Sequence, residues 1–231
     1  MSTPIILNIE TSTNVCSIAI HEGLNCLFTA IDAEGMNHAA LLSVFIEQGM
    51  DVLKSLNKHL DAVAVSSGPG SYTGLRIGVS TAKGICYGLD IPLISISTLE
   101  VITAQALNTE GIDKTALFCP MIDARRMEVY AALYNFNGEI QREIAPDIID
   151  ETSYSNFLEK HTVYFFGNGA EKCKSTLTHP SAKFIDNLIP LAENMISFSN
   201  SKFKKKQFED LAYFEPFYLK EFQTTTPKQL S

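Results

Sequence analysis

The chain has 231 residues, of which 45% are hydrophobic and 19% charged, and a formal net charge of -8 at pH 7. That length holds one large core or two small ones, and the apolar fraction excludes a solvated, disordered chain. The acidic balance excludes a broad nucleic-acid surface, because phosphate binding needs a positive footprint, so any RNA contact must be local or shared.

Three short apolar stretches open the chain: Ile5 to Ile9, Val15 to Ile20 and Cys26 to Ile31, with polar or glycine-bearing breaks at Thr11 to Asn14 and Glu22 to Asn25. They predict an antiparallel three-strand meander. From His38 to Leu53 the period becomes helical, with Leu42, Phe45, Ile46, Met50 and Leu53 on one stripe and Leu41, Val44 and Val52 widening it. Apolar surface beyond one stripe points to a partner or to a helix sandwiched inside its own domain, and a helical wheel does not separate the two.

Asp61 to Ser66 reads as a strand, Thr73 to Leu89 as a helix, Pro92 to Ile96 as a strand and Thr98 to Leu107 as a helix. The order βββαβαβα is that of the ribonuclease-H-like unit of actin and hexokinase. A second unit begins with strands at Thr115 to Met121 and Glu128 to Phe136, and Asn137-Gly138 turns into Glu139 to Ile144. After Pro146 come a short helix near Tyr154 to Lys160, a strand at Val163 to Phe166, a Gly-Asn-Gly turn, a helix around Leu191 to Phe198, and a loose tail after Thr224. The expected fold class is therefore α/β, with two ribonuclease-H-like, actin-like (ASKHA) subdomains. Residues 1–108 form a mixed five-stranded sheet flanked by helices and carry the partner interface; residues 109–231 form a smaller, degenerate copy, with room for helices to be exchanged between the two.

In Ile9-Glu10-Thr11-Ser12-Thr13 an acid and small hydroxyls turn between two strands. Actin-like ATPases place metal and phosphate at such a turn, but a tight hairpin whose hydroxyls bond their own backbone explains the same residue types. Glu10, Thr11, Ser12 and Thr13 are thus a candidate vestigial phosphate loop. From Ser66 to Gly78 a strand leads through a glycine-rich bend into a helix N-terminus, a geometry that can bind anions, although neither Walker nor G-x-G-x-x-G spacing is present. Ser71 or Thr73 can cap that helix. Gly74, Gly78 and Ala82 follow at four-residue steps, with Gly84 and Gly88 beyond. Each interior glycine costs about 1 kcal/mol against alanine, so the bare face predicts a close-packed partner helix. On that expectation Gly74→Leu or Gly78→Leu abolishes complex formation and leaves the monomer folded.

The charged joint from Asp123 to Tyr130 is either an ion-pair corner or a polar contact between subdomains through Asp123, Arg125 and Glu128. No H-x-x-x-H joins the five histidines, no G-x-S-x-G elbow occurs, and Glu10, Asp123 and Glu128 make no recognisable two-metal set. His38 alone is weak evidence of a metal. Five scattered cysteines without C-x-x-C suit reduced thiols and a cytoplasmic location, and neither a signal-like start nor a membrane-length apolar run is seen. Lys202 and Lys204 to Lys206, interleaved with Phe203 and Phe208, read as a solvated helix face or as a basic helix tracking phosphate.

The run from Gly68 to Gly78, Gly-Pro-Gly-Ser-Tyr-Thr-Gly-Leu-Arg-Ile-Gly, resembles the signature of the TsaB family, also called YeaZ. Further matches are Ile9 to Thr13, His38 with Leu41 and Leu42, Ile94 to Leu99, Ile122 to Arg125, Glu128 to Tyr130, and Tyr218-Leu219; they thin out after residue 134. The resemblance implies a non-catalytic scaffold or activating subunit in threonylcarbamoyladenosine synthesis beside the tRNA anticodon. Its partners would be the catalytic subunit TsaD and the ATPase TsaE, with a homodimer on the same surface when TsaD is absent and tRNA reached indirectly. The implied interface is His38, Leu41, Leu42, Phe45, Ile46, Gly70, Tyr72, Thr73, Gly74, Arg76, Ile77, Gly78 and Thr81. No catalytic residue, metal or tightly bound cofactor is implied, ATP being used by the partner proteins. The H-x-x-x-H of the catalytic relative falls on Thr98 and Ile102, which cannot serve as those ligands. The competing expectation is a metal- or ATP-dependent, glycoprotease-like hydrolase acting alone through Glu10 and Asp123.

Overall fold

A computed structural model describes residues 3–35 and 37–218. Strands β1 (Ile5–Glu10), β2 (Cys16–Glu22) and β3 (Asn25–Asp32) form the antiparallel meander, with Leu7 opposite Ile20. Helix α1 (His38–Ser55) leads to β4 (Ala62–Gly68), and α2 (Tyr72–Leu89) to β5 (Leu93–Ser97), both strands parallel to β1 in the order β3-β2-β1-β4-β5. Central β1 is buried at every position, as a strand covered on both faces must be.

Helix α3 (Thr98–Ala106) lies between this sheet and the next. Val101 joins the core with Ala62, Ala64 and Ile94, whereas Leu99, Ile102 and Ala106 pack with Phe118, Ala132, Tyr134 and Phe166. A helix with apolar residues on two sides needs such a sandwich. Its start is fixed by a capping box, Ser97 accepting from Leu99 N while Glu100 reaches back to Ser97 N.

The second sheet contains β6 (Leu117–Asp123), β7 (Glu128–Tyr134), β8 (Ile140–Ile148), β9 (Val163–Phe166) and β10 (Ala182–Ile185), ordered β10-β9-β6-β7-β8. Its strands repeat the topology of the first sheet one for one, two antiparallel neighbours on one side of the first strand and two parallel ones on the other. The degeneration of the second unit lies in its helices, not in its sheet, which has five strands like the first. The crossover elements are α4 (Ser155–Leu158) and a 3-10 turn at Glu171–Cys173. The sequence reading also missed β10 and ended the third strand at Ile144; β8 runs on through Pro146, which an edge strand tolerates because its outer side needs no N–H.

The last helix is likewise displaced from Leu191 to Phe198: a 3-10 turn at Ala192–Met195 continues into α5 (Ile196–Lys204). This segment returns to the first sheet. Asn8 Nδ2 donates to Ala192 O at 3.2 Å, Ala192 N to Ser17 Oγ at 3.0 Å, and buried His21 meets Ser199 Oγ at 3.0 Å. Leu211 and Phe214 then pack against the α1–α2 core, and Glu209 N donates to Leu93 O at the sheet edge. The tail after Thr224 lies outside the described residues.

Candidate functional site

The first loop and the start of α2 are built as one piece. Ser71 caps α2, its hydroxyl accepting from Gly74 N at 3.2 Å, and Ser71 N donates to Ser12 O at 2.6 Å. Thr11 Oγ1 donates to Gly74 O at 2.8 Å. An added Cβ would lie 2.2 Å from Ser12 O at Gly70, 2.1 Å from Thr11 O at Gly74 and 2.3 Å from Thr11 Oγ1 at Gly78. These glycines therefore admit the molecule's own loop. The expectation that Gly74 and Gly78 face a partner helix, and that leucine there leaves the monomer folded, is corrected: both are buried against Thr11.

Glu10 and Thr11 are fully buried behind that contact. Glu10 Oε1 accepts from Ser12 N at 2.6 Å, and burial pushes the carboxyl above its ordinary value of 4.5, opposed in part by the hydroxyls of Ser12 and Ser66. A carboxyl sealed from solvent, whose charged form burial disfavours, is poorly placed to hold a metal. Ser12 and Thr13, one step further, do reach open space. They line a cleft of about 710 Å³ together with His38, the bend from Pro69 to Gly74, Asp123 to Arg125, Asn168, and the C-terminal Phe217 and Tyr218. The structure thus draws six separated sequence segments to one place between the two sheets.

His38 is held there by Nε2, which donates to Thr13 O at 2.9 Å and ties the start of α1 to the first loop. Asp123 accepts from Arg125 N at 3.0 Å and pairs with Lys172, and its own N–H donates to Asn168 Oδ1 at 2.9 Å. All three contacts lie in the second unit, so for Asp123 they make the ion-pair corner that is one of the two expected readings. Arg125 and Arg126 follow with φ of 70° and 49°. Left-handed backbone costs a residue with a Cβ roughly 1–2 kcal/mol. Both arginines are exposed, and neither side chain has a hydrogen-bond or ion-pair partner among the described residues.

At the rim, the Arg76 guanidinium lies 4.4 Å from the Tyr72 ring centre and donates to Tyr218 OH at 3.4 Å, and the two tyrosine rings are 5.0 Å apart. Phe217 N donates to Ser67 O at 2.7 Å, its carbonyl passing so close to Gly68 that only a glycine fits. The same segment walls a second cavity of about 610 Å³ over Ser67, Ser95 and Ser97. Sequence reasoning named Tyr218 only as a family match and gave Phe217 no role, since an irregular tail carries no period to show where it docks; Leu219 lies outside the described residues.

Of the other interface candidates, Leu42 points inward and is 1% exposed, whereas Leu41, Phe45, Ile46, Ile77 and Thr81 are half-buried and Thr73 and Arg76 exposed. Val44 is exposed on α1, and on the outer side of α2 nothing among the described residues stands within 4 Å of a Cβ added at Gly84 or Gly88. Lys202 is engaged inside the molecule, donating to Ser95 O at 2.8 Å, while Lys204 to Lys206 are exposed. Thr98 and Ile102 are buried. Among the described residues no three His, Cys, Asp or Glu side chains cluster as metal ligands, and no helix is long and apolar enough to cross a membrane.

A family profile described as "TsaD: tRNA N6-adenosine threonylcarbamoyltransferase" matches residues 33–228. The tRNA threonylcarbamoyladenosine biosynthesis protein TsaB of Buchnera aphidicola subsp. Baizongia pistaciae is 31% identical over 94% of this chain and 98% of its own. TsaB of Bacillus subtilis is 32% identical over 142 residues, 62% of this chain and 60% of that protein. YeaZ from Pseudomonas aeruginosa superposes with a TM-score of 0.74 at 24% identity, covering 94% of this chain and all of that one, a likeness of fold. With the Gly68–Gly78 signature at the cleft and two actin-like sheets around it, the chain belongs to the TsaB (YeaZ) family of tRNA threonylcarbamoyladenosine biosynthesis proteins.

Proposed function

We propose that this chain is a scaffold and activating subunit in the synthesis of threonylcarbamoyladenosine on tRNA, and that it acts by binding a TsaD-type catalytic subunit through the outer face of α1 and α2. Family membership sets the pathway. The observation that supports the mode of action is the pairing of an inert interior with an unfilled exterior. Glu10 is sealed inside, where burial disfavours its charged form, while Val44 is exposed on α1 and the backbone of Gly84 and Gly88 is bare on α2. Exposed Tyr87, 83% accessible, sits between those two glycines and offers an aromatic anchor of the kind that dominates protein interfaces. The same face would serve a homodimer when the catalytic subunit is absent, and ATP would be used by the partners.

Gly84→Leu is the direct test, because the site has room for the side chain in the free chain. It should keep or slightly raise the wild-type Tm, leucine being the better helix former, yet fail to co-elute with the organism's TsaD and fail to support tRNA modification in a reconstituted system. Wild-type co-elution by Gly84→Leu would remove α2 from the interface. Modification that proceeds without the chain would remove the assignment itself.

A further inference from the structure

We infer that the Arg125–Arg126 turn is a contact for the RNA backbone, reaching the phosphates of a tRNA brought to the mouth of the inter-sheet cleft. The inference rests on the proposed role in tRNA modification, which puts an RNA within reach of a chain whose net charge of -8 rules out a general phosphate surface. A small cationic site is what remains, and this turn has its chemistry.

Two consecutive arginines occupy left-handed backbone that asparagine or glycine adopts more cheaply. A local rule broken with no gain inside the fold marks a residue retained for something outside it. No such gain is visible: both side chains are exposed and unpartnered among the described residues. The nearest acid does not neutralise them either. Asp123 meets Arg125 through the backbone N–H, and its charge is taken by Lys172.

The surroundings favour RNA over an acidic protein. Arg125 lines the same cleft as Phe217, which is 46% exposed, and the Tyr72–Tyr218 pair, whose Tyr72 ring carries the Arg76 guanidinium. Guanidinium groups for phosphate beside aromatic faces for unstacked bases is the combination with which proteins hold single-stranded RNA loops.

The test uses the complex of this chain with its TsaD and a synthetic anticodon stem–loop RNA, titrated between 50 and 200 mM salt as is usual for such contacts. Replacing Arg125→Asn together with Arg126→Gly should raise the Tm of the chain, leave its co-elution with TsaD unchanged, weaken RNA binding on the order of tenfold, and lower the slope of log K against log salt by about 1 to 2. Arg125→Lys with Arg126→Lys keeps charge and strain together and should restore the slope without the gain in Tm. An unchanged affinity and slope in the Asn-Gly variant overturns the inference while the scaffold reading stands. Loss of TsaD co-elution with RNA affinity retained also overturns it, by giving the turn to a protein interface. A chain that never joins TsaD or is dispensable for modification fails at the earlier step, and the two failures are told apart by that co-elution.

Discussion

The two ends of helix α2 carry the same device for opposite purposes. At the N-terminal end, Gly74 and Gly78 stand four residues apart and press on Thr11; at the C-terminal end, Gly84 and Gly88 stand four residues apart and press on nothing in the described chain. Spacing and residue type are identical, so neither decides the role. What decides it is the element opposite: α2 begins directly over the loop that ends β1, and its later turns run out along the sheet's outer surface. A bare helix face is thus internal packing at one end and available surface at the other.

The comparison breaks most plainly at Gly74. A leucine there would drive its Cβ into the Thr11 carbonyl, a backbone atom fixed in the central strand's loop, and cannot escape by a rotamer change. Overpacking of a core costs about 1–3 kcal/mol and more where backbone must move, so Gly74→Leu should lose at least about 3 kcal/mol by urea denaturation or fail to accumulate as folded protein. A variant with wild-type stability would return Gly74 to the surface and revive the partner-helix reading.

Glu10 sharpens the same point from behind the loop. Burial raises its carboxyl above the ordinary 4.5, so the folded chain binds more protons than the unfolded chain as pH climbs past that value. Its contribution is fully present below 4.5 and is lost as pH rises through the folded value. Glu10→Gln keeps an oxygen for Ser12 N and has no such dependence. It should therefore match wild type at low pH and exceed it at pH 8, with Tm measured across that range. The opposite order, Gln less stable at pH 8, would mean that an ionised Glu10 is satisfied inside the protein and would reopen the hydrolase reading.

The first sheet was legible because its strands and helices carry full periods: the meander, the stripe from Leu42 to Leu53 and the start of α3 at Thr98 each sit where the pattern places them. The second sheet was half legible. Pro146 reads as a stop, yet β8 continues through it on a free edge, and β10 is four residues long with a lysine in it and gives no period to detect. The site divides the same way. Glycines 70, 74 and 78 announce a close approach without saying to what, and the answer, Thr11 and Ser12, lies some sixty residues away along the chain. Arg125 and Arg126 show only charge in the sequence; their left-handed backbone, which makes them worth explaining, exists only in three dimensions.

The smallest effect is the most diagnostic of the helix's outer end. Gly84 is helical and exposed, and nothing among the described residues beyond its own helix stands within 4 Å of a Cβ placed there, so an alanine fits and reduces the freedom of the unfolded chain. Gly84→Ala should stabilise the isolated chain by about 0.5–1 kcal/mol, read as a higher urea midpoint at unchanged m. A position at which a stabilising alanine fits, yet glycine stands, is a position where the fold is not what holds the glycine in place. If a partner packs against this backbone, the single methyl that helps the monomer should weaken the complex, and leucine should weaken it further. If alanine leaves the affinity unchanged and leucine weakens it, the partner sits near α2 without close packing; if neither changes it, the outer end of α2 is plain surface, and the contrast between the two glycine pairs is one of packing alone.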